Sequence, residues 1–211
     1  MEAWRAHDLL WISGLPDGMS LPAWLDAVWL RAAPLVVRRA SCTPGRIPVG
    51  VRGLLRRERH ACEVDAAAVL HRVTPEMLAR LARLARLAHA PLPGFSCAAL
   101  DALRQVAPLL DATGWDWGPT GGVGFALASG LPVLRADSDL DLVLRIAAPP
   151  DAAQAEALRA IAASVTACRL DLQIDTGLGG FAYAEWAAGR AKILLKTDHG
   201  PVLTATPWEL A

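Results

Sequence analysis

The sequence predicts an α+β (mixed α/β) protein whose sheet is covered by helices on one side. Stretches of strand type alternate with amphipathic helical stretches along the chain, and Pro and Gly clusters separate them. The 211 residues are 54% hydrophobic and 20% charged, a composition typical of a globular chain that buries a sizeable core. These observations exclude a disordered or fibrous protein.

The first third of the chain predicts a short helix followed by strands. Leu21 and Pro22 open an amphipathic stretch that Pro34 ends, so we expect a helix between them. Residues 35–37, Leu-Val-Val, are of strand type. Residues 47–53 contain more Gly and Pro than a central strand tolerates, and we interpret them as an edge strand or a loop.

A second helix is predicted from Thr74, because Thr is a good N-cap and Pro75 occupies the first helical position. Arg80, Arg83 and Arg86 fall on one side of this helix, which we interpret as a solvated face. Beyond it, we expect helices at 96–110, 123–128 and 152–167, and strands at 140–146, 169–174 and 191–195.

A domain boundary is predicted near residue 90. Residues 90–94, Ala-Pro-Leu-Pro-Gly, are the best linker candidate in the chain. The sequence therefore predicts a mixed α/β N-terminal domain over residues 1–90 that binds substrate or a partner. The catalytic domain would cover residues 91–211.

Charge and cysteine usage narrow the classes of function. Twenty-one basic and 21 acidic residues cancel, so no global field attracts nucleic acid or a membrane. Locally, eight Arg and the single acid Glu58 lie between Arg31 and Arg59, a stretch suited to an anionic ligand. The four cysteines are scattered, and no segment resembles a signal or a membrane span, so we expect a cytoplasmic protein.

An acidic strand is the sharpest chemical feature. Asp137, Asp139 and Asp141 alternate with other residues, so a strand would place their carboxylates on one face. Carboxylates crowded in this way raise one another's pKa, and a divalent cation relieves the repulsion. Hard oxygen ligands favour magnesium, with manganese as the alternative. The other interpretation is a strand that emerges from a solvated acidic loop.

Two neighbouring segments support the metal interpretation. Residues 121–124, Gly-Gly-Val-Gly, allow a backbone to approach a phosphate at the start of a helix. Asp171, Gln173 and Asp175 share one face of a second strand. If the two acidic strands are neighbours, Asp171 can complete a three-carboxylate site, with Asp137 and Asp175 as reserve ligands.

This layout of glycine turn, helix, Asp-x-Asp strand and third carboxylate resembles the DNA-polymerase-β-like nucleotidyltransferase superfamily. More narrowly, the chain resembles the malonate decarboxylase holo-acyl-carrier-protein synthases, also called phosphoribosyl-dephospho-CoA transferases. The resemblance covers nearly the whole length and combines N-terminal Arg blocks with the acidic strand. The segments that carry it are 5–9, 34–39, 48–53 with Arg56, Arg57 and Arg59, 117–119 with Gly121, 138–142, 180–186, and 195–197 with Gly200, Pro201 and Trp208.

The resemblance implies a defined reaction and a nucleotidyltransferase-like C-terminal sheet. The enzyme would take 2′-(5″-triphosphoribosyl)-3′-dephospho-CoA and transfer its phosphoribosyl-dephospho-CoA part to a serine of the acyl carrier protein subunit of malonate decarboxylase. Pyrophosphate would leave. The implied partners are that donor and that carrier, with neither nucleic acid nor a membrane.

The resemblance also implies roles for individual residues. Asp139 and Asp141 would hold the metals that grip the triphosphate, and Asp171 would join the second metal and help to deprotonate the serine. Gly121 and Gly122 would supply backbone donors to phosphate. The family usually has Ser where this chain has Gly122, so a hydroxyl contact would be missing unless Thr120 or Ser129 replaces it.

Basic side chains are the expected substrate contacts, since a guanidinium binds phosphate through two parallel hydrogen bonds. The candidates are Arg38, Arg39, Arg52, Arg56, Arg57, Arg59 and Lys196. Each has the alternative interpretation of a solvated surface side chain. His7 and Asp8 are interpreted as a structural pair rather than an acid–base couple.

Two other functions are consistent with parts of the sequence. A nucleotidyltransferase of the same fold could use another acceptor, such as a small molecule, a different protein or RNA. A non-catalytic nucleic-acid-binding protein could use the Arg blocks, although the neutral chain carries no recognisable nucleic-acid motif.

Overall fold

The computed structural model describes residues 4–14, 21–87 and 97–209. They form two β-sheets with helices packed around them, so the predicted α+β class is confirmed. Among the described helices, none is both long and apolar enough to cross a lipid bilayer.

The N-terminal sheet is built from short, locally paired segments. Its elements are β1 (Leu9–Ile12), α1 (Ala27–Ala32), β2 (Leu35–Val37), β3 (Arg46–Arg52), β4 (Arg59–Asp65), a 3₁₀ turn (Ala66–Ala68) and β5 (Val69–Val73). The strands are antiparallel, in the order β4-β3-β2-β1-β5. The predicted strand at 35–37 is confirmed as β2.

The expectation of an edge strand or loop at residues 47–53 is wrong, because β3 lies inside the sheet between β2 and β4. Ile47, Val49 and Val51 point into one core and are buried. Pro48 cannot donate a ladder hydrogen bond, but its carbonyl accepts one from the Arg38 N–H at 2.9 Å. Burial of three alternate aliphatic side chains therefore outweighs one missing donor.

Helix α1 begins later than predicted. The amphipathic stretch starts at Leu21, but α1 starts at Ala27, where the side chain of Asp26 accepts a hydrogen bond from the Trp29 N–H at 2.7 Å. This Asp cap, rather than Pro22, determines the start of the helix.

The C-terminal sheet has six strands and one parallel pair. They are β6 (Asp116–Pro119), β7 (Leu140–Arg145), β8 (Leu170–Asp175), β9 (Gly180–Ala182), β10 (Ile193–Thr197) and β11 (Gly200–Thr204). Their order is β11-β10-β9-β8-β7-β6. Among these described strands, β7 and β8 alone are parallel neighbours, and the crossover between them carries α5 (Ala152–Ser164). The predicted strands at 140–146 and 169–174 are confirmed.

Helices cover one face of this sheet and leave the other open to the N-terminal half. The remaining helices are α2 (Pro75–Leu87), α3 (Ala98–Ala112), α4 (Gly121–Ser129) and α6 (Tyr183–Ala187). Leu140, Leu142 and Leu144 of β7 share a buried core with side chains of α3 and α5. The predicted helix start at Thr74-Pro75 is confirmed by α2, whose Arg80 and Arg83 are exposed.

The domain boundary predicted near residue 90 lies outside the described residues, as does Ser96. Helix α2, which precedes that boundary, packs on β6, α3 and α4, and its Ala79 and Ala82 belong to the core of the C-terminal sheet. Gly118 of β6 allows this approach, because a Cβ there would lie 1.9 Å from the Pro75 carbonyl oxygen.

Ion pairs, most of them buried, connect the two halves of the molecule. Asp175 of β8 pairs with Arg145 of β7 and, at 2.7 Å, with Arg39, which follows β2. Arg145 also contacts Glu76 at 3.1 Å, and Glu76 contacts Arg5 at the same distance. These contacts hold the open face of the C-terminal sheet against the N-terminal sheet and leave a cleft between them.

Candidate active site

The site is built on the parallel strands β7 and β8, whose register places Asp141 directly beside Asp171. Both side chains point away from the leucine core, toward the cleft, because alternate residues of a strand face opposite sides. Asp139 lies just before β7, where its carboxylate is 35% exposed and 3.7 Å from the Arg169 guanidinium. Asp137 is exposed in the preceding turn.

The N-terminus of α4 meets this acidic pair. Thr120 precedes the helix, and its N–H donates to the Asp141 carbonyl at 2.9 Å, so the helix start is attached to β7. Gly121 has φ +55°, and a Cβ there would lie 1.8 Å from Asp141 Oδ2. Only glycine fits this position, and the N–H groups of the first turn are therefore held close to the carboxylate.

Burial and the crowding of carboxylates raise the pKa of Asp141. Its pKa is raised from 3.8 to about 6, first by burial and then by the negative charges of Asp171 and Asp139. The Gly122 N–H donates to the carboxylate and Arg52 lies nearby; both oppose the shift. The charges of Asp171 and Asp139 thus contribute to the raised pKa of Asp141, as expected where carboxylates crowd at a candidate cation site.

The carboxylates fit a magnesium ion only when a ligand supplies further oxygens. Within residues 4–14, 21–87 and 97–209, no three or more His, Cys, Asp or Glu side chains form a group that could hold a metal ion. Magnesium is, however, commonly bound through one or two carboxylates plus substrate phosphates and water. Asp141 and Asp171 on adjacent strands match that requirement in donor type and placement.

Arg52 reaches this site from the other sheet. Its guanidinium lies over the Phe125 ring, 5.2 Å from the centroid, and close to Gly122. Burial, together with the nearby charge of Arg59, lowers its pKa to about 10, so it stays cationic at neutral pH. Its Nε is buried and has no hydrogen-bond partner among the described residues. Arg52 thus carries a positive charge into the cleft beside the acidic strands.

The other predicted basic residues fall into three groups. Arg38 and Arg59 line a cavity of about 520 Å³ that also contains Gly121, Asp141 and Asp171. Arg38 further lines an adjoining cavity of about 540 Å³, together with Arg39 and Lys196. Arg56 and Arg57 form the third group. They are exposed in the β3–β4 turn and line neither cavity.

Asp175, the reserve ligand, has a different environment from Asp171. It lies four residues further along β8, its side chain is 7% exposed, and two guanidiniums hold it. Although burial opposes ionisation, Arg39, the Gly177 N–H and Arg145 together lower its pKa. Asp175 therefore remains charged and connects the two sheets, whereas Asp171 faces the cavity of Asp141.

Sequence reasoning missed a polar contact in the cleft. His7 and Asp8 do not act as a pair: His7 Nε2 is 2.9 Å from Gln173 Oε1, whereas fully buried Asp8 pairs with Arg72 at 2.8 Å. Burial lowers the His7 pKa to about 4, so its ring is neutral at pH 7. The shared face of Asp171 and Gln173 on β8 was the available signal, but nothing local indicated that His7 lies opposite.

Comparison with known proteins assigns the chain to a family. The phosphoribosyl-dephospho-CoA transferase MdcG N-terminal domain matches residues 5–75, and the C-terminal domain of the same family matches residues 55–207. No solved structure matches the chain.

Curated relatives match over nearly their full lengths. Proteins named phosphoribosyl-dephospho-CoA transferase from Pseudomonas putida and Klebsiella pneumoniae (strain 342) are 42% and 44% identical to this chain. The alignments cover 99% and 97% of this chain, and 97% and 96% of the relatives. A relative of the same name from Azotobacter vinelandii is 40% identical over 97% of this chain and 94% of its own length. This chain is therefore a transferase and belongs to the phosphoribosyl-dephospho-CoA transferase family.

Proposed function

We propose that this transferase attaches a phosphoribosyl-dephospho-CoA group to a serine of the acyl carrier protein of malonate decarboxylase. The donor would be 2′-(5″-triphosphoribosyl)-3′-dephospho-CoA. The observation that carries the proposal is the pairing of Asp141 with Asp171 beside the N-terminus of α4, in a cleft lined by arginines. Such a site suits a polyphosphate and an incoming hydroxyl.

The proposed step is a phosphoryl transfer. The serine hydroxyl oxygen attacks the α-phosphorus of the donor triphosphate, and the bond from this phosphorus to the oxygen bridging to the β-phosphate breaks. Pyrophosphate leaves with that oxygen, the serine proton is released, and the carrier gains a phosphodiester. Little covalent chemistry is required of the protein, so its residues act through position and charge.

The acidic residues would prepare the reacting groups. Asp141 and Asp171, with Asp139 just before β7, would hold magnesium together with phosphate oxygens of the donor. When bound, the ion would neutralise charge on the triphosphate and the leaving pyrophosphate. Asp171 would accept the proton of the serine hydroxyl, since it lies on the cleft side of β8 and is not engaged in an ion pair among the described residues.

The glycine turn and the arginines would position the phosphates. The N–H groups at the start of α4 that do not donate to Asp141 would donate to phosphate oxygens, and the helix dipole favours negative charge at that point. Arg38, Arg52 and Arg59 line the same cavity and would offset the charge that develops on the leaving group. Arg52 would be especially effective, because its charge is partly desolvated.

The experiment is an intact-mass measurement on purified carrier protein after incubation with enzyme, donor and magnesium. We expect a mass increase equal to one phosphoribosyl-dephospho-CoA group, together with one pyrophosphate released per carrier. A carrier whose acceptor serine is replaced by alanine should gain nothing. If the authentic carrier gains no mass while another acceptor gains the group and pyrophosphate is released, the chain is a nucleotidyltransferase of different acceptor specificity.

A further inference from the structure

The second cavity of the cleft, of about 540 Å³, has a strongly positive lining. Arg38 and Arg39 border it at the end of β2, and Lys196 of β10 borders it from the C-terminal sheet. No acidic residue lines it in the described part of the chain. Val36, Leu194 and Pro201 add an apolar wall. This combination fits a ligand that carries an anionic group next to an apolar or planar group.

Two of its cations are available to a ligand. Arg39 is held by Asp175 at 2.7 Å, and its guanidinium lies against Gly180, the cross-strand neighbour of Lys196. Arg38 and Lys196 are exposed, and neither forms an ion pair with a described carboxylate. The pocket therefore holds positive charge that the described residues do not neutralise.

The two cavities are parts of one cleft. They share His7, Val36, Arg38 and Gln173, and the 2.9 Å contact between His7 and Gln173 lies where they meet. His7 adopts φ +76°, which is unusual for a residue other than glycine. The neutral His7–Gln173 pair thus separates a cavity that contains Asp141 and Asp171 from one whose charged lining, among the described residues, is cationic.

We infer that the second cavity binds the 5′-diphosphate of the donor's dephospho-CoA part, with Lys196 as its discriminating contact. The inference rests on the proposed function, in which the donor carries two anionic groups joined through ribose. The triphosphate would lie beside Asp141 and Asp171, and the diphosphate would lie beyond the His7–Gln173 pair. The apolar wall would contact the adenine or the pantetheine adjoining the diphosphate.

This assignment separates two ligand fragments by the residues that bind them. Dephospho-CoA carries the diphosphate but not the triphosphate, whereas inorganic tripolyphosphate resembles only the triphosphate. Lys196 borders the second cavity but not the first, and Arg52 borders the first but not the second. Arg38 borders both and cannot discriminate.

The test is calorimetric titration of each fragment, with magnesium, into wild-type enzyme and into Lys196→Met, Arg52→Met and Lys192→Met. Lys192 is the matched control, because it is exposed and borders neither cavity. Lys196→Met should weaken dephospho-CoA binding about tenfold, the size of a charge-assisted hydrogen bond, and leave tripolyphosphate binding unchanged. Arg52→Met should do the reverse, and Lys192→Met should change neither.

The inference is overturned if Lys196→Met leaves dephospho-CoA binding at the wild-type level, or weakens both fragments equally. It is also overturned if Lys192→Met weakens dephospho-CoA binding as much as Lys196→Met does. The lysine charges would then attract the ligand from a distance rather than by direct contact. Thermal unfolding of each variant identifies any loss of fold. If only this assignment is wrong, the wild-type enzyme still modifies the carrier. If the proposed function is wrong, the wild-type enzyme does not modify the carrier, but the variants can still distinguish the two fragments.

Discussion

Gly121 and Asp141 lie so close together that the first helical residue of α4 has no room for a side chain. A Cβ on Gly121 would lie 1.8 Å from Oδ2 and 2.4 Å from Cγ of the aspartate. The carboxylate therefore occupies the place where a side chain would stand, and the helix start contacts it directly. Any residue larger than glycine must displace either the helix or the carboxylate.

Gly121→Ala should inactivate the enzyme. Displacing a reacting group by about 1 Å costs roughly 100-fold in rate, so carrier transfer should fall at least that far. Gly130→Ala is the matched control: Gly130 follows α4 with φ +71°, and a Cβ there would meet no other atom within 4 Å. Both variants carry left-handed strain of about 1 kcal/mol, but only the first should lose activity. Equal activity in the two variants would contradict the close contact as the cause.

Asp141→Asn should stabilise the metal-free protein. The pKa of Asp141 is about 6 in the folded state and 3.8 in the reference state, so ionisation destabilises the fold progressively between these pH values and fully above them. The cost at neutral pH reaches up to about 3 kcal/mol, and we expect Asn to recover about 1–3 kcal/mol. Chemical denaturation without magnesium measures this. A less stable variant would show that the carboxylate supports the fold.

Magnesium binding should depend on pH in the same range. The proton and the cation compete for Asp141, so affinity should rise as pH increases from 5 to 7 and level off above, with a midpoint near the pKa of about 6. The apparent midpoint should move to lower pH at higher magnesium concentration. Titration with manganese, followed by electron paramagnetic resonance, reports the bound fraction. Affinity independent of pH between 5 and 7 would argue against Asp141 as a ligand.

Asp175→Asn should weaken the fold rather than the chemistry. Removing one partner of a buried ion pair costs roughly 3–5 kcal/mol, and Asp175 holds both Arg39 and Arg145. In the folded protein the pKa of Asp175 is lowered below its ordinary value of 3.8. The stabilisation is therefore complete above pH 3.8 and is lost as pH falls below it. Asp137→Asn, in an exposed turn, should change stability by less than about 0.5 kcal/mol. Equal denaturation midpoints for the two variants would contradict the connecting role of Asp175.

Gly122→Ser should be accepted and should strengthen donor binding. A Cβ at Gly122 would lie 3.4 Å from Leu134 Cδ2 and 3.7 Å from Arg52 Nη2, which is ordinary contact distance. The hydroxyl would add a hydrogen bond to phosphate beside Arg52, so the KM for the phosphoribosyl donor should fall about two- to tenfold, equivalent to roughly 0.4–1.4 kcal/mol. Gly122→Ala provides the space-filling control and should leave KM unchanged. If Ser and Ala behave alike, the hydroxyl has no phosphate contact.

Local patterns predicted the features that depend on neighbours in sequence. The alternation of Asp139, Asp141 and the leucines of β7 determines which face is acidic, and Thr74-Pro75 marks the start of α2, so both could be inferred from a few residues. The interior position of β3 was not predictable from its Gly and Pro content, because it depends on how the sheet buries Ile47, Val49 and Val51.

Features that depend on contacts between distant parts of the chain could be predicted from the sequence only in part. The adjacency of Asp141 and Asp171 followed from the family resemblance rather than from spacing. The approach of Arg52 to α4, the His7–Gln173 contact and the burial of Asp175 all join the two sheets. No local pattern encodes such pairings, since they arise from tertiary packing between segments far apart in the chain.

The most direct test of the central claim is the mass of the carrier protein after incubation with donor, saturating magnesium and either wild-type or Asp141→Asn enzyme. We expect one added prosthetic group with the wild type and none with the variant, and we expect circular dichroism and thermal unfolding to show that the variant is folded. Near-normal modification of the carrier by Asp141→Asn would contradict the role of this carboxylate in the transfer.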